Sequence, residues 1–196
     1  PYLRAELALA IPLLFLSTDW VFDGRRGNYH ETDAVNPLSI YAETKVAAEE
    51  VVRQNPRHTV VRTSLNYGRS PGRSRPFNED MVGQWRAGRP VNLFVDEFRS
   101  PIGAAVTAHA IWELLKLDRP GLYHLAGAER LSRHEIGLVI AARYPELKPR
   151  IEPGFLRDFR GAPRPPDTTL NCGKIQALLS FPLPQFSAWL GTSTDS

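Results

Sequence analysis

Leu13-Leu14-Phe15-Leu16, running into Ser17-Thr18-Asp19-Trp20-Val21-Phe22-Asp23-Gly24, is the stretch whose reading decides the fold. Pro12 stops whatever precedes it, and four consecutive apolar residues then read as a strand covered on both faces. That strand ends on a polar cluster, Ser17-Thr18-Asp19. A loop follows, punctuated by Gly24, Gly27 and Asn28. Pro37 opens the next element, and the Ala, Glu, Lys and Val content of residues 40–54 predicts a helix stopped before Pro56. Thr59-Val60-Val61 is a second buried strand with another polar end, Thr63-Ser64. Strand, helix and strand in this order form a parallel crossover unit, right-handed by default. The expected fold class is therefore α/β, built on a Rossmann-type parallel sheet.

Outward from this unit the pattern continues. Helices are expected over residues 2–10, 77–87, 104–117 and 132–143, and short ones over 173–179 and 186–190. Strands are expected over 91–95 and 122–125. Ser132 with Glu135 three residues later resembles a capping box. Residues 68–76 hold three arginines, two glycines and two prolines, a loop long enough to suggest function. Arg69, Arg73 and Arg75 read either as a clamp for a nucleotide diphosphate or as a solvated loop. No internal repeat is visible.

Composition narrows the function classes. With 42% hydrophobic and 23% charged residues in 196, the chain can bury a core of ordinary size. No apolar run approaches the roughly 18 residues of a spanning helix, and no signal peptide is visible, so no membrane partner is expected. Cys172 is the single cysteine, which excludes an internal disulfide and reads as a small apolar filler; the expected location is the cytoplasm. The net charge of +3 is spread along the chain, which argues against a nucleic-acid partner. His30, His58, His109, His124 and His134 lack metal-ligand spacing, so no metal site is expected.

The chemistry-bearing pattern is Tyr41-x-x-x-Lys45 on the expected helix, facing the strand-end hydroxyls of Ser17 and Thr18. Four residues apart, the phenol and the ammonium share one helix face. In open α/β sheets, clefts at the carboxyl ends of strands hold ligands. Reducing a ketone needs a proton on oxygen and a hydride on carbon. A phenol beside an ammonium can transfer the proton, a hydroxyl can hold the carbonyl in line, and the hydride must come from a cofactor. A Tyr-x-x-x-Lys pair alone is also a common surface decoration.

These segments resemble the extended short-chain dehydrogenases/reductases, and within them the dTDP-4-dehydrorhamnose reductase group. The resemblance runs through residues 17–24, Glu31 and Asp33, Pro37-Leu38, Tyr41, Lys45 and Glu49, then Arg62-Thr63-Ser64 with Tyr67-Gly68. It continues through Asp96 with Arg99-Ser100-Pro101, residues 121–127, and Arg164-Pro165 followed by Leu170 and Lys174. It implies Thr18, Tyr41 and Lys45 as the catalytic set. It also implies NADP or NAD as cofactor, bordered by Ser17, Tyr41, Lys45, Ser64 and Leu65. Asp19, Trp20 and Arg99 would border a carbonyl substrate, a nucleotide-linked sugar. The alternative is a non-catalytic binding or regulatory member, or an inactive fragment, since relatives include the regulatory subunit of methionine adenosyltransferase.

The chain departs from the pattern in lacking the family's glycine-rich turn, which lets backbone amides approach a pyrophosphate. The expectation is an incomplete sheet whose N-terminal glycine-rich half is missing. Residues 1–68 would be the later half of a dinucleotide-binding domain. Residues 69–196 would form a small C-terminal substrate-binding region with segments returning to the sheet. Little NAD(P)H affinity is expected of the chain alone, and so is pairing into a homo-oligomer through the exposed sheet edge. Leu65-Asn66 replaces an aromatic usual after Arg-Thr-Ser in the group, and residues 105–110 lack an acidic residue common there.

Overall fold

A computed structural model describes residues 11–70 and 76–192. The expected helix over 2–10 and the arginines Arg73 and Arg75 lie outside the described residues. Strand β1 (Leu14–Thr18) leads through a 3-10 turn (Asp19–Val21) to helix α1 (Ile40–Arg53) and strand β2 (Thr59–Thr63). The two strands are parallel, Leu14 opposite Thr59 and Thr18 opposite Thr63. Strand β7 (Gly121–Leu125) joins the other side of β2 in parallel, so the order is β1-β2-β7. The α/β parallel architecture read from the sequence is the one found, and β7 returns to the sheet from within residues 69–196.

Burial explains the strand compositions. β2 lies between two partners, and Thr59, Val60, Val61 and Arg62 are all buried. β1 has no strand on its outer side among the described residues, and Leu16 is 43% exposed. The apolar run of β1 thus suits a strand covered on both faces, yet part of it faces outward.

The remaining segments form a second layer. Helix α2 (Phe77–Arg86), strand β4 (Val91–Phe94) and helix α4 (Arg133–Ala141) share a core of Met81, Trp85, Leu93, Ile136 and Ile140, closed by Phe186 and Leu190 of helix α6 (Phe186–Thr192). Ser132 and Glu135 make the reciprocal capping box at the start of α4. Helix α3 (Ala104–Lys116) covers the sheet with Ala110 and Leu114 against Val61, Leu125 and Ile175, the last on the short helix α5 (Gly173–Gln176).

The sequence missed five short strands. β3 (Asn66–Tyr67) pairs with β6 (Ile102–Gly103), β5 (Phe98–Arg99) with β8 (Leu131–Ser132), and β4 with β9 (Ile151–Gly154). Each is set by a distant partner rather than by local pattern. Pro153 in β9 is tolerated because β9 is paired only with β4. Among the described residues, no helix is long and apolar enough to cross a membrane.

The loop after β1 is fastened to the C-terminal segment. Tyr29 N donates to Thr169 O at 2.9 Å, Asn171 N to Tyr29 O at 2.7 Å, and Asp167 N to Gly24 O at 3.0 Å. Gly27, at φ +71°, lies so close to Asp167 that an added Cβ would meet its carboxylate at 2.6 Å. Phe22 and Tyr29 stack at 4.1 Å within this layer. Full burial of Phe22 contributes about 2–3 kcal/mol.

Candidate active site

Helix α1 begins where Ser39 Oγ accepts from Ala42 N at 3.3 Å, and this cap sets the register of the next turn. Tyr41 then stands 53% exposed, its ring edge-on to Trp20 at 6.4 Å. No hydrogen bond engages its phenol among the described residues. One turn on, Lys45 Nζ donates to the carbonyl of Leu16 at 3.0 Å and lies 4.8 Å from the Phe15 ring. Both residues therefore face the carboxyl end of β1.

The strand end beneath them is a closed polar floor. Thr18 Oγ1 accepts from Trp20 N at 3.3 Å and donates to Asp19 Oδ1 at 3.2 Å, and the residue is 8% exposed. Asp19 Oδ2 accepts from Ser64 Oγ at 2.8 Å and Thr168 Oγ1 at 2.9 Å, with Arg99 Nε at 3.9 Å. Burial pushes the Asp19 carboxyl above its usual range, against the opposing pull of Arg99 and the three hydroxyls. Asp19 and Arg99, expected at the substrate, are thus engaged with neighbouring protein groups.

A second buried layer lies under this floor. Arg62 clamps Glu49 through Nη2 at 2.6 Å and Nε at 3.0 Å, and Ser17 Oγ donates to the same carboxylate at 2.5 Å. Arg62 lies over the Phe22 ring at 5.2 Å and near His124 Nε2 at 3.4 Å. His124 is fully buried, and its Nδ1 lies 2.9 Å from the Tyr29 carbonyl. Burial pushes its pKa down to about 4, assisted by the Arg62 charge and opposed by Glu31. Glu31 Oε1 accepts from His124 N at 2.9 Å, which ties the loop after β1 to β7.

Beside Trp20 is a corner of arginines and aromatics. Glu97, 1% exposed, accepts from Arg99 Nη2 at 2.8 Å and from Arg164 through Nε at 2.7 Å and Nη2 at 2.9 Å. Arg164 lies 5.1 Å from the Trp20 ring, 5.5 Å from Phe94 and 5.6 Å from Phe159. Sequence reading gave no role to Glu97 or Arg62. The signal was a charge inside a buried strand, Arg62 after Thr59-Val60-Val61, which requires a buried partner.

Ser64 and Leu65 follow β2 as expected, but the Ser64 hydroxyl is held by Asp19, and the Leu65 carbonyl accepts from Ile102 N at 2.9 Å. Arg69 lines a cavity of about 850 Å³, together with Asn78, Arg86, Ala105 and Tyr144, and Tyr41 is not part of that lining. Cys172 packs against two apolar clusters, and burial pushes its thiol up to about 12, as suits an inert filler. No group of His, Cys, Asp and Glu among the described residues has the arrangement of a metal site.

Comparison with known proteins places this geometry. Residues 4–196 match the family model described as the RmlD substrate binding domain. The chain belongs to that family. A dTDP-4-dehydrorhamnose reductase of Salmonella typhimurium is 30% identical over 186 residues, covering 87% of this chain and 60% of the relative. The crystal structure of the Bacillus anthracis dTDP-4-dehydrorhamnose reductase in complex with NADP superposes with a TM-score of 0.84 at 25% identity, over 92% of this chain and 64% of that one. Methionine adenosyltransferase 2 subunit beta of Bos taurus is 26% identical over 182 residues, covering 89% of this chain and 54% of the relative. The chain thus spans less than two thirds of the length of each of these three proteins.

Proposed function

We propose that this chain carries the proton-transfer and substrate-binding part of an NAD(P)H-dependent reductase, acting on a keto group of a nucleotide-linked sugar as in dTDP-4-dehydrorhamnose reductases. The observation that carries the reading is Tyr41: an exposed phenol with no hydrogen bond among the described residues, edge-on to Trp20 above a polar floor, with Lys45 one turn along.

In this reading Tyr41 donates its proton to the substrate carbonyl oxygen. Lys45 supplies positive charge at the strand end, and Thr18 orients the carbonyl once its hydroxyl turns from Asp19. Trp20 walls the sugar. Asp19 and Arg99 act from below by holding the strand end and the Trp20 turn in place. Bound NAD(P)H supplies the hydride. The exposed α1 face fits the nicotinamide-ribose end of such a group, which Tyr41 and Lys45 would hold. Ser17, Ser64 and Leu65 would border it through backbone, because both serine hydroxyls are already bonded within the chain. The described residues offer no counterpart for the pyrophosphate end. Among the described residues β1 has no outer neighbour, and its edge and Leu16 suit pairing with a second copy of the chain. Sedimentation of a monomer at micromolar concentration overturns that part.

The test is oxidation of NADPH that depends on a dTDP-linked 4-keto sugar, measured on a protein of the relatives' full length that contains this chain. Turnover supports the reading. Absence of turnover, with a stoichiometric protein partner recovered by pull-down, moves the chain to the binding-module role that its similarity to an adenosyltransferase subunit allows.

A further inference from the structure

Tyr41, Lys45 and Glu49 follow one another at single-turn intervals along α1 and are held in very different ways. Tyr41 makes no hydrogen bond among the described residues and meets Trp20 edge-on at 6.4 Å. Lys45 Nζ has one carbonyl, that of Leu16 at 3.0 Å. Glu49 is bonded through both oxygens. Its Oε1 accepts from Ser17 Oγ at 2.5 Å and Arg62 Nε at 3.0 Å, and its Oε2 from Arg62 Nη2 at 2.6 Å and Nε at 3.1 Å. Ser17 belongs to β1 and Arg62 to β2, so one buried carboxylate ties the helix to both strands beneath it. Leu16 and Ser17 are adjacent in β1. The Lys45 and Glu49 attachments therefore fall at one crossing point, and Tyr41 overhangs beyond it.

The apolar contacts of α1 do not fix it to the same degree. Its buried residues are Ala42, Glu49 and Val52, with Val46 packed at the edge of the Val21 and Phe22 cluster. Apolar contact is non-directional, so a helix resting on it can tilt or slide at little cost. A bidentate guanidinium–carboxylate pair fixes direction as well as distance. As a source of stability the pair is a poor choice. Desolvation of two charges offsets most of their attraction, and apolar residues of similar volume do as well or better. What apolar residues could not supply is the geometry.

That geometry matters most at the free end. Glu49 and Tyr41 are two turns apart, about 12 Å along the helix axis. A tilt of about 5° pivoting at Glu49 moves the Tyr41 backbone by about 1 Å, a displacement that can cost about 100-fold where reacting atoms must be aligned. We propose that Glu49, clamped by Arg62 and Ser17, is a positioning residue: it sets the tilt of α1 and thereby aims Tyr41 at the substrate carbonyl. This rests on the proton-transfer role of Tyr41 in the proposed function.

The test uses a protein of the relatives' full length that contains this chain, as wild type, as Arg62→Lys, and with Glu49→Met and Arg62→Met combined. Each is assayed by NADPH oxidation with a dTDP-linked 4-keto sugar, well below its melting temperature. The contact between the Tyr41 ring and the Trp20 indole is followed by nuclear Overhauser effects. The combined replacement leaves neither charge of the pair behind, so it should melt within about 5 °C of wild type or higher. Its kcat should fall by about tenfold or more with KM within about twofold, and the Tyr41–Trp20 contact should weaken. Arg62→Lys keeps the charge and loses the bidentate geometry, so its kcat should fall by less, again at constant KM. A role in stability alone predicts wild-type kcat and an unchanged ring contact in every variant that folds. That result overturns the proposal, and Arg62→Lys decides it alone if the combined replacement does not fold. A rise in KM as large as the fall in kcat marks general distortion of the cleft and also overturns it. Wild-type protein without turnover defeats the reductase reading, and the ring contact then decides by itself whether Glu49 aims Tyr41.

Discussion

Tyr41 and Lys45 stand on the open face of α1, whereas Asp19, Glu49, Arg62, Glu97 and Arg99 beneath them are each 3% exposed or less. The upper pair has few partners: one carbonyl for Lys45, an aromatic edge for Tyr41. The lower set is bonded nearly to saturation. Groups that exchange protons with a substrate need free valences, while charges out of water must be paired to persist. Substitutions at the upper pair should therefore stop turnover, and those that leave a charge unpaired beneath should unfold the chain.

The largest effect sharpens the upper half of that contrast. Tyr41→Phe should lower turnover of a full-length protein containing this chain by about 10²–10⁴-fold. Its melting temperature should stay put, because the phenol oxygen makes no hydrogen bond among the described residues. Full activity in this variant would remove Tyr41 from the reaction. Next, Glu49→Ala should destabilise by about 3–5 kcal/mol in urea titrations, since it strands Arg62 as a buried cation. A cost under about 1 kcal/mol would show that water enters the layer and that the floor is not sealed.

The third expectation concerns pH. The folded-state pKa of His124 is about 4, against an ordinary 6.5. The unfolded chain therefore binds the extra proton first on acidification. The stabilisation is complete above pH 6.5 and is lost progressively toward pH 4, by about 3 kcal/mol in all. Asp19, shifted upward by burial, runs the opposite way and loses stability as pH rises through its folded pKa. His124→Asn should flatten the slope of stability between pH 6.5 and 4, and an unchanged slope would assign it elsewhere. The smallest effect belongs to the loop that fastens the floor. Gly27→Ala, at φ +71° and against Asp167, should cost about 1 kcal/mol or more in thermal melts, with Gly88→Ala, which meets nothing within 4 Å, as the control for backbone strain alone.

Much of this was legible in the residues. The β1-α1-β2 crossover follows from apolar runs, a proline and an alanine-rich stretch, and Tyr41 and Lys45 fall on one face by spacing alone. The α4 cap was visible as Ser132 and Glu135. Strands such as Phe98–Arg99 and Leu131–Ser132 were not, because two residues carry no periodicity and only their pairing defines them. β1 itself runs on through Ser17 and Thr18, whose polar side chains gave the appearance of a strand already ended. Glu97 was hidden for a related reason. Its partner Arg164 lies 67 residues later, and no local pattern links the two.

The fastening of the early loop to the C-terminal segment bears on how the chain is made. Asn28 N donates to Thr169 Oγ1 across 141 residues. Ribosomes add about 5–20 residues per second, so the loop leaving β1 waits roughly 10–30 s for its anchor. Through that interval Val21 and Phe22 lack part of their eventual cover, and the nascent chain is open to chaperones and proteases until the segment around Thr169 and Leu170 emerges.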